Sequence, residues 1–159
     1  MIAPSLARGR AAPRELVRSL EPGFLVFVLA LGVIVAAASR NGLGSAVHAV
    51  LPAGSSLAAL LGVAGISAVL ANLVNNLPAT LILVPVAAAS GTGPVLAMLI
   101  GVGVGPNLTY AGSLATLLWR RVLRAESLEV DLREFTRLGL LTVPVQLVAG
   151  SFLLWLVLR

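Results

Sequence analysis

The stretch between Arg40 and Arg120 contains no Asp, Glu, Lys or Arg, and its one histidine is His48. Soluble domains of average composition carry about 25% charged residues, whereas 11% of this chain is charged and 58% is hydrophobic. A soluble domain of this size would not leave so long a stretch without solvating charge. The sequence therefore predicts an all-α polytopic membrane protein in a lipid bilayer.

The charged residues argue against a nucleic-acid partner. The formal net charge is +5 and the pI about 11.6, but all the basic residues are arginines that lie beside apolar segments. That arrangement is typical of the positive-inside pattern of membrane proteins. The chain has no cysteine, so neither a disulfide nor a thiolate metal site can form. We expect no cofactor, no metal site and no enzymatic activity.

Two polar, helix-breaking clusters interrupt the apolar sequence between residues 71 and 113. The residues of the first cluster are Asn72, Asn75, Asn76 and Pro78. Those of the second are Gly103, Gly105, Pro106, Asn107, Thr109, Gly112 and Ser113. A pair of broken apolar segments is typical of the substrate site of a secondary transporter, because unpaired backbone at membrane depth is tolerated where it lines a cavity. The breaks therefore indicate a transporter.

The first break predicts a cluster of side-chain amides. Asn72 and Asn76 are one helical turn apart and Asn75 is adjacent, so a continuous helix would place the amides on one face. Pro78 cannot donate a backbone hydrogen bond and would leave the carbonyl of Val74 without its helical partner.

The second break predicts a stripe of hydroxyls. Thr109, Ser113 and Thr116 repeat at helical spacing, and Ser113 after Gly112 is a candidate N-cap for the following half-helix. The pocket predicted from both breaks offers amides, hydroxyls, carbonyls and N–H groups, without carboxylate or thiol. It suits a small solute that forms hydrogen bonds and is neutral or weakly charged.

A structural role is the alternative for these residues. Intramembrane asparagines can join helices through hydrogen bonds worth about 0.6–2 kcal/mol each. Gly101 and Gly105 form a GxxxG pattern that favours close helix packing, although packing does not explain the Pro106–Asn107 pair.

Apolar runs and helix breakers divide the chain into seven segments. They are a basic leader (1–21), a span (22–39), an interfacial segment (41–54), a re-entrant hairpin (55–90), a broken span (93–119), a loop (120–137) and a span (138–158). The arm after Pro78 is too short to cross a bilayer at 1.5 Å per residue. The leader and the loop are rich in arginine, so both are expected in the cytoplasm. The predicted location is the inner (plasma) membrane, crossed several times with the N-terminus cytoplasmic.

The stretches SAVLANLVNNLPATL and GVGPNLTYAGSLATLLW resemble the arsenical pump membrane subunit, the ArsB family of the ion transporter superfamily. The resemblance runs from about residue 22 to the end and covers the C-terminal half of that fold, one of two inverted repeats. The residues that by position resemble the tip of the family's outer re-entrant hairpin are Asn75, Asn76, Pro78 and Thr80. The residues that resemble the unwound part of the family's facing broken helix are Gly105, Asn107, Leu108, Thr109, Gly112 and Ser113. The tip reads Asn-Asn-Leu-Pro-Ala-Thr, not the Ser-Asn-Thr of dicarboxylate carriers, which favours the arsenite branch.

The resemblance implies export of arsenite or antimonite, a small inorganic solute, driven by the proton gradient and in some systems assisted by a cytosolic ATPase subunit. Arsenite near neutral pH is largely the uncharged trihydroxide, which suits an uncharged pocket. One repeat supplies half of the site, so the expected partner is an N-terminal repeat or a second copy. The alternatives are another carrier of the superfamily, such as a Na+/H+ antiporter or an organic anion carrier, and a non-transporting membrane fragment that serves as an assembly partner.

Overall fold

The structure, a computed structural model, describes residues 22–159, so the predicted leader lies outside the described residues. Its α-helices are α1 (Pro22–Ala38), α2 (Gly44–Val50), α3 (Leu57–Val74), α4 (Asn76–Ala89), α5 (Thr92–Val104), α6 (Leu114–Ala125) and α7 (Leu132–Val157). A π-helical turn precedes α2, and two 3-10 turns separate α5 from α6, at Ser39–Leu43, Gly105–Leu108 and Tyr110–Gly112. Residues 22–159 contain no β-strand. The all-α prediction is confirmed.

The described residues divide between two compact units, with the boundary inside α1 after residue 34. Residues 22–34 of the first unit are helical throughout. The second unit begins with the end of α1 and a kink at Asn41 and Gly42, where the backbone leaves helical geometry and Gly42 has φ 96°. The short α2 follows, within the segment predicted to hold a short helix at 41–54.

The core of the second unit is built from small and aliphatic side chains of three consecutive helices. Its fully packed members are Leu60, Val63 and Ala71 of α3, Ala79, Leu83 and Ala87 of α4, and Ala97, Met98 and Val102 of α5. Burying such side chains in well-packed contact is worth about 1.5–3 kcal/mol for each large one in water; in a bilayer the gain comes from close packing instead.

Glycines allow α5 to lie directly on α3. A Cβ atom at Gly101 would collide with the carbonyl oxygen of Ala64, and would lie 2.6 Å from the Cβ of Ser67. A Cβ atom at Gly105, one turn later, would lie 2.5 Å from the Cα of Ala68. The GxxxG pattern therefore has the packing role that the alternative interpretation gave it, and it brings the second break against α3.

Two helices of the described part of the chain, α3 and α7, are long and apolar enough to cross a membrane, or up to three if a bent pair around residue 39 forms one span. The helices α4 and α5 are shorter. The re-entrant placement of residues 55–90 in the bilayer stays a prediction, since α3 has the length of a span.

The cytoplasmic placement of the predicted aqueous loop at 120–137 stays a prediction, and most of this segment is helical. Helix α6 continues to Ala125 and α7 begins at Leu132, so only residues 126–131 are non-helical. Arginine and leucine both favour helix, and the charges indicated contact with water rather than an irregular backbone. Helix α7 starts before residue 138 because Asp131 caps it, with Oδ1 accepting a hydrogen bond of 2.7 Å from the backbone N–H of Arg133.

Candidate functional site

The first break lies at a single residue, Asn75, between α3 and α4. Its backbone has φ 79° and ψ 153°, a region that side-chain-bearing residues rarely adopt and that costs of order 1–3 kcal/mol. Pro78 lies in the first turn of α4, where a missing N–H breaks no helical hydrogen bond. The two helices that meet at Asn75 contact each other and share the core, which confirms the predicted pair of helical arms.

The break at Asn75 overturns one detail of the sequence interpretation. Asn72 belongs to α3 and Asn76 to α4, so the two amides do not share one helical face. Helical periodicity relates side chains only along a continuous helix, and the positive φ of Asn75 interrupts the helix between them.

The second break extends over the two 3-10 turns from Gly105 to Gly112. Thr109 and Ser113 have extended backbones, with φ −138° and −142°. The predicted hydroxyl stripe on one helical face is therefore wrong, because two of its three members lie outside any helix. The predicted N-cap is confirmed: the hydroxyl of Ser113 accepts a hydrogen bond of 3.1 Å from the backbone N–H of Ala115 at the start of α6.

The side chain of Asn72 joins the two breaks. Its Nδ2 donates to the carbonyl oxygen of Ala68 at 2.8 Å and to that of Gly105 at 2.7 Å. Its Oδ1 accepts a hydrogen bond of 2.8 Å from the hydroxyl of Thr109. Both amide hydrogens are used, and one of the bonds satisfies a carbonyl at the point where α5 stops. Asn72 therefore holds the unwound segment against α3, and its donors are not free for a solute.

A second amide contact supports the first. The Nδ2 of Asn75 donates to the carbonyl oxygen of Ala111 at 3.1 Å. The Oδ1 of Asn75 is buried and has no hydrogen-bond partner among the described residues. An unsatisfied buried acceptor costs about 1–3 kcal/mol, so Asn75 combines a strained backbone with an unused acceptor at the centre of the candidate site.

Glycines again set how closely the backbones approach. A Cβ atom at Gly112 would lie 2.7 Å from the Cα of Pro106 and 2.8 Å from the Oδ1 of Asn72. From the other side, Gly139 of α7 packs on the backbone of Asn107, where a Cβ atom would collide with the carbonyl oxygen. The unwound segment therefore lies between α3 and α7.

Two of the predicted binding residues keep their amides free. Asn76 is half-buried and Asn107 is exposed, and neither side chain has a hydrogen bond to another described residue. The hydroxyl of Thr80 donates to the carbonyl oxygen of Asn76 at 2.7 Å, within its own helix. Of the predicted residues, Asn76 and Asn107 are thus the ones whose side-chain amides form no hydrogen bond within the described residues, and Asn75 keeps a free acceptor.

The sequence interpretation missed a cluster of rings beside the second break. The ring of Tyr110 stacks on that of Phe135 in α7, with 4.3 Å between centroids. The guanidinium carbon of Arg120 in α6 lies 5.1 Å from the centroid of the Tyr110 ring, within the range of a cation–π contact. Local sequence carries no signal of this cluster, because its members come from three separate segments.

The residues of both breaks carry only uncharged polar groups, and the guanidinium of Arg120 lies beside them over the ring of Tyr110. Across residues 22–159, no group of three His, Cys, Asp or Glu side chains is placed to hold a metal ion. The acidic residues of this part of the chain all lie between α6 and the first turn of α7, at Glu126, Glu129, Asp131 and Glu134. A solute at the breaks would meet amides, backbone carbonyls and N–H groups.

Residues 10–156 match the family model described as arsenical pump membrane protein, ArsB. An arsenical pump membrane protein of Escherichia coli K12 is 33% identical over 146 residues, which cover 86% of this chain and 32% of the relative. A second E. coli protein of that description is 36% identical over 95 residues, covering 55% of this chain and 22% of the relative. An uncharacterized transporter of Mycobacterium bovis is 25% identical over 154 residues, covering 89% and 36%.

The chain thus spans about a third of the length of the relatives that it matches over most of its own length. No solved structure matches it. The family match covers both helix breaks and nearly all of the described residues, and it agrees with the all-α membrane architecture. The chain belongs to the ArsB family of arsenical pump membrane proteins, a family of membrane transporters.

Proposed function

We propose that this chain supplies one half of the binding site of a carrier that exports arsenite or antimonite. The observation that supports this most directly is the juxtaposition of two helix breaks that carry free amides at Asn76 and Asn107 and no charged side chain. The names of the relatives, arsenical pump membrane proteins, favour an arsenic or antimony solute over other neutral solutes.

The trihydroxide of arsenic(III) is uncharged near neutral pH, and each hydroxyl both donates and accepts hydrogen bonds. A side-chain amide does the same through separate atoms. An uncharged site avoids the cost of leaving a buried charge unpaired when no solute is bound. A permanently charged site would instead favour ions, so the observed chemistry matches a neutral oxyacid.

We propose that export is coupled to the proton gradient and that the proton carrier lies on another part of the transporter. The acidic side chains of residues 22–159 belong to the turn after α6 and to the first turn of α7, and not to either break. An N-terminal repeat or a second copy would complete the site, and a cytosolic ATPase subunit is a further partner that the family resemblance suggests. The arginine-rich segment 120–137 would lie in the cytoplasm of the cell, together with the N-terminus.

The test is arsenite resistance and arsenic retention in a bacterium that lacks its own exporter. The chain is expressed together with a matching N-terminal half, as wild type and as the variants Asn76→Ala and Asn107→Ala. Gln146→Ala is the matched control, since it removes an exposed amide from α7 outside both breaks. Each variant is quantified in the membrane by immunoblot.

We expect the wild type and the control to confer resistance. Each site variant should lose at least tenfold in export rate, because it removes hydrogen bonds worth about 1.5 kcal/mol. Equal export by all three variants would show that the breaks do not bind the solute. Stable insertion without any resistance, even with the N-terminal half present, would refute the choice of arsenite and antimonite.

A further inference from the structure

The first turns of α7 have two faces with different chemistry. One face packs on the second break, through the ring of Phe135 on Tyr110 and through Gly139 on the backbone of Asn107. Val143 continues this buried face one turn later. The opposite face carries Arg133 and Arg137, one turn apart and both exposed.

The guanidinium groups of Arg133 and Arg137 have no hydrogen bond or ion pair with any residue in the described range 22–159. The nearby acid Asp131 caps the helix through the backbone of residue 133 rather than through its guanidinium. The other arginine pair at this end of the unit, Arg120 and Arg124, lines a pocket that also contains Glu129 and Asp131. The pair on α7 thus forms no ion pair within the described residues, and its acidic neighbour on the same helix is Glu134, three positions before Arg137.

An open groove connects the α7 pair to an apolar surface. It has a volume of about 780 Å³ and is lined by Leu132, Arg133, Thr136, Arg137, Leu140 and Leu141. A second shallow groove follows along the same helix, lined by Pro144, Val145, Val148, Ala149 and Phe152.

We propose that this face of α7 binds one anionic phospholipid, with the headgroup phosphate on Arg133 and Arg137 and an acyl chain along the leucine-lined groove toward Val148. Arginine matches phosphate oxygens through paired N–H donors. The hydroxyl of Thr136, between the two arginines, is a further donor to the headgroup. Beyond Arg137, no charged residue lines either groove.

The dimensions of the groove agree with a lipid of one leaflet. Helix residues advance 1.5 Å each, so Arg137 and Val148 are separated by about 16 Å along the axis. Half of a hydrocarbon core of about 30 Å is about 15 Å. A lipid whose phosphate lies at Arg137 would therefore reach Val148 with the end of its acyl chain.

The test measures lipid affinity of the purified full chain in detergent by native mass spectrometry. Dioleoyl phosphatidylglycerol, dioleoyl phosphatidylcholine, short-chain dihexanoyl phosphatidylglycerol and inorganic phosphate are titrated separately. The variant is the double substitution Arg133→Gln and Arg137→Gln. The matched control is Arg40→Gln with Arg124→Gln, which removes the same charge from exposed positions outside α7. A third variant, Leu140→Ala with Leu141→Ala, shortens the apolar part of the groove.

We expect dioleoyl phosphatidylglycerol to bind the wild type and the control with the same Kd within about twofold, and the α7 variant at least tenfold more weakly. The leucine variant should weaken the dioleoyl lipid and leave the dihexanoyl lipid unchanged. Equal losses in both arginine variants would overturn the proposal in favour of a net-charge effect. Equal affinity for phosphatidylcholine, or full competition by inorganic phosphate, would overturn the anionic lipid as the ligand.

Discussion

The hydroxyl of Thr109 donates a hydrogen bond of 2.8 Å to the Oδ1 of Asn72, across a sequence separation of 37 residues. This bond closes the contact between the first and the second helix break, and the Nδ2 of Asn72 completes it on the carbonyl oxygen of Gly105. Three predictions follow from the way these breaks are held together.

Replacing Asn72 with alanine should lower the free energy of unfolding by about 2–3 kcal/mol, since it leaves one carbonyl and one hydroxyl unpaired. Thr109→Val removes a single bond of the same network and should cost about 1 kcal/mol. The measurement is unfolding of the purified chain in mixed micelles titrated with dodecyl sulfate, followed by tryptophan fluorescence. If Asn72→Ala unfolds at the wild-type midpoint, the bridge contributes nothing to holding the breaks together.

The contact between α3 and the second break should be sensitive to a single methyl group. Gly105→Ala places a Cβ atom 2.5 Å from the Cα of Ala68, whereas Gly103→Ala meets nothing within 4 Å. We expect the first substitution to destabilise the chain by about 1–3 kcal/mol because two backbones must separate. The second should be neutral or stabilising by about 0.5–1 kcal/mol, because alanine favours helix over glycine.

The same micelle titration distinguishes these two glycine variants. Equal stability of Gly103→Ala and Gly105→Ala would contradict the close approach of the two backbones at Ala68.

At position 75, we expect a glycine variant to be more stable than an alanine variant, the reverse of their usual order in a helix. The φ of 79° at Asn75 is free of steric cost for glycine and costs other residues about 1–2 kcal/mol. Asn75→Gly should therefore be more stable than Asn75→Ala by about 1 kcal/mol, although both variants lose the hydrogen bond to Ala111.

Asn76, the first residue of α4, provides the control with the opposite sign. There, Gly should be less stable than Ala by about 0.5–1 kcal/mol. Thermal unfolding of the four variants in one detergent tests both comparisons, and the same order at both positions would refute the strained conformation of Asn75.

Sequence reasoning predicted the positions of both breaks because their causes are local. Proline, glycine and asparagine at 75–78 and 105–107 disfavour one continuous helix, and the N-cap at Ser113 needs only the residues that follow it. Gly103, predicted as part of the second break, lies inside α5. The family resemblance and the all-α membrane class were equally accessible, since they depend on quoted motifs and on composition.

The contacts between the breaks could not be predicted from local sequence. Periodicity placed Asn72 and Asn76 on one face, but a single residue with positive φ turned the chain between them. The stacking of Tyr110 on Phe135 depends on where α7 packs. The charges of 120–137 indicated contact with water but not its helices, because arginines in an exposed helix look the same in sequence as arginines in an irregular segment.

The Asn72 bridge has a consequence for biosynthesis. During translation the first break is complete before Thr109 and Gly105 have been synthesised, so the amide of Asn72 enters the membrane with two of its three partners absent. An amide in hydrocarbon without partners is unfavourable. We therefore expect α3 and α4 to reach their final depth only after the second break has been synthesised, so that both segments insert in one late step.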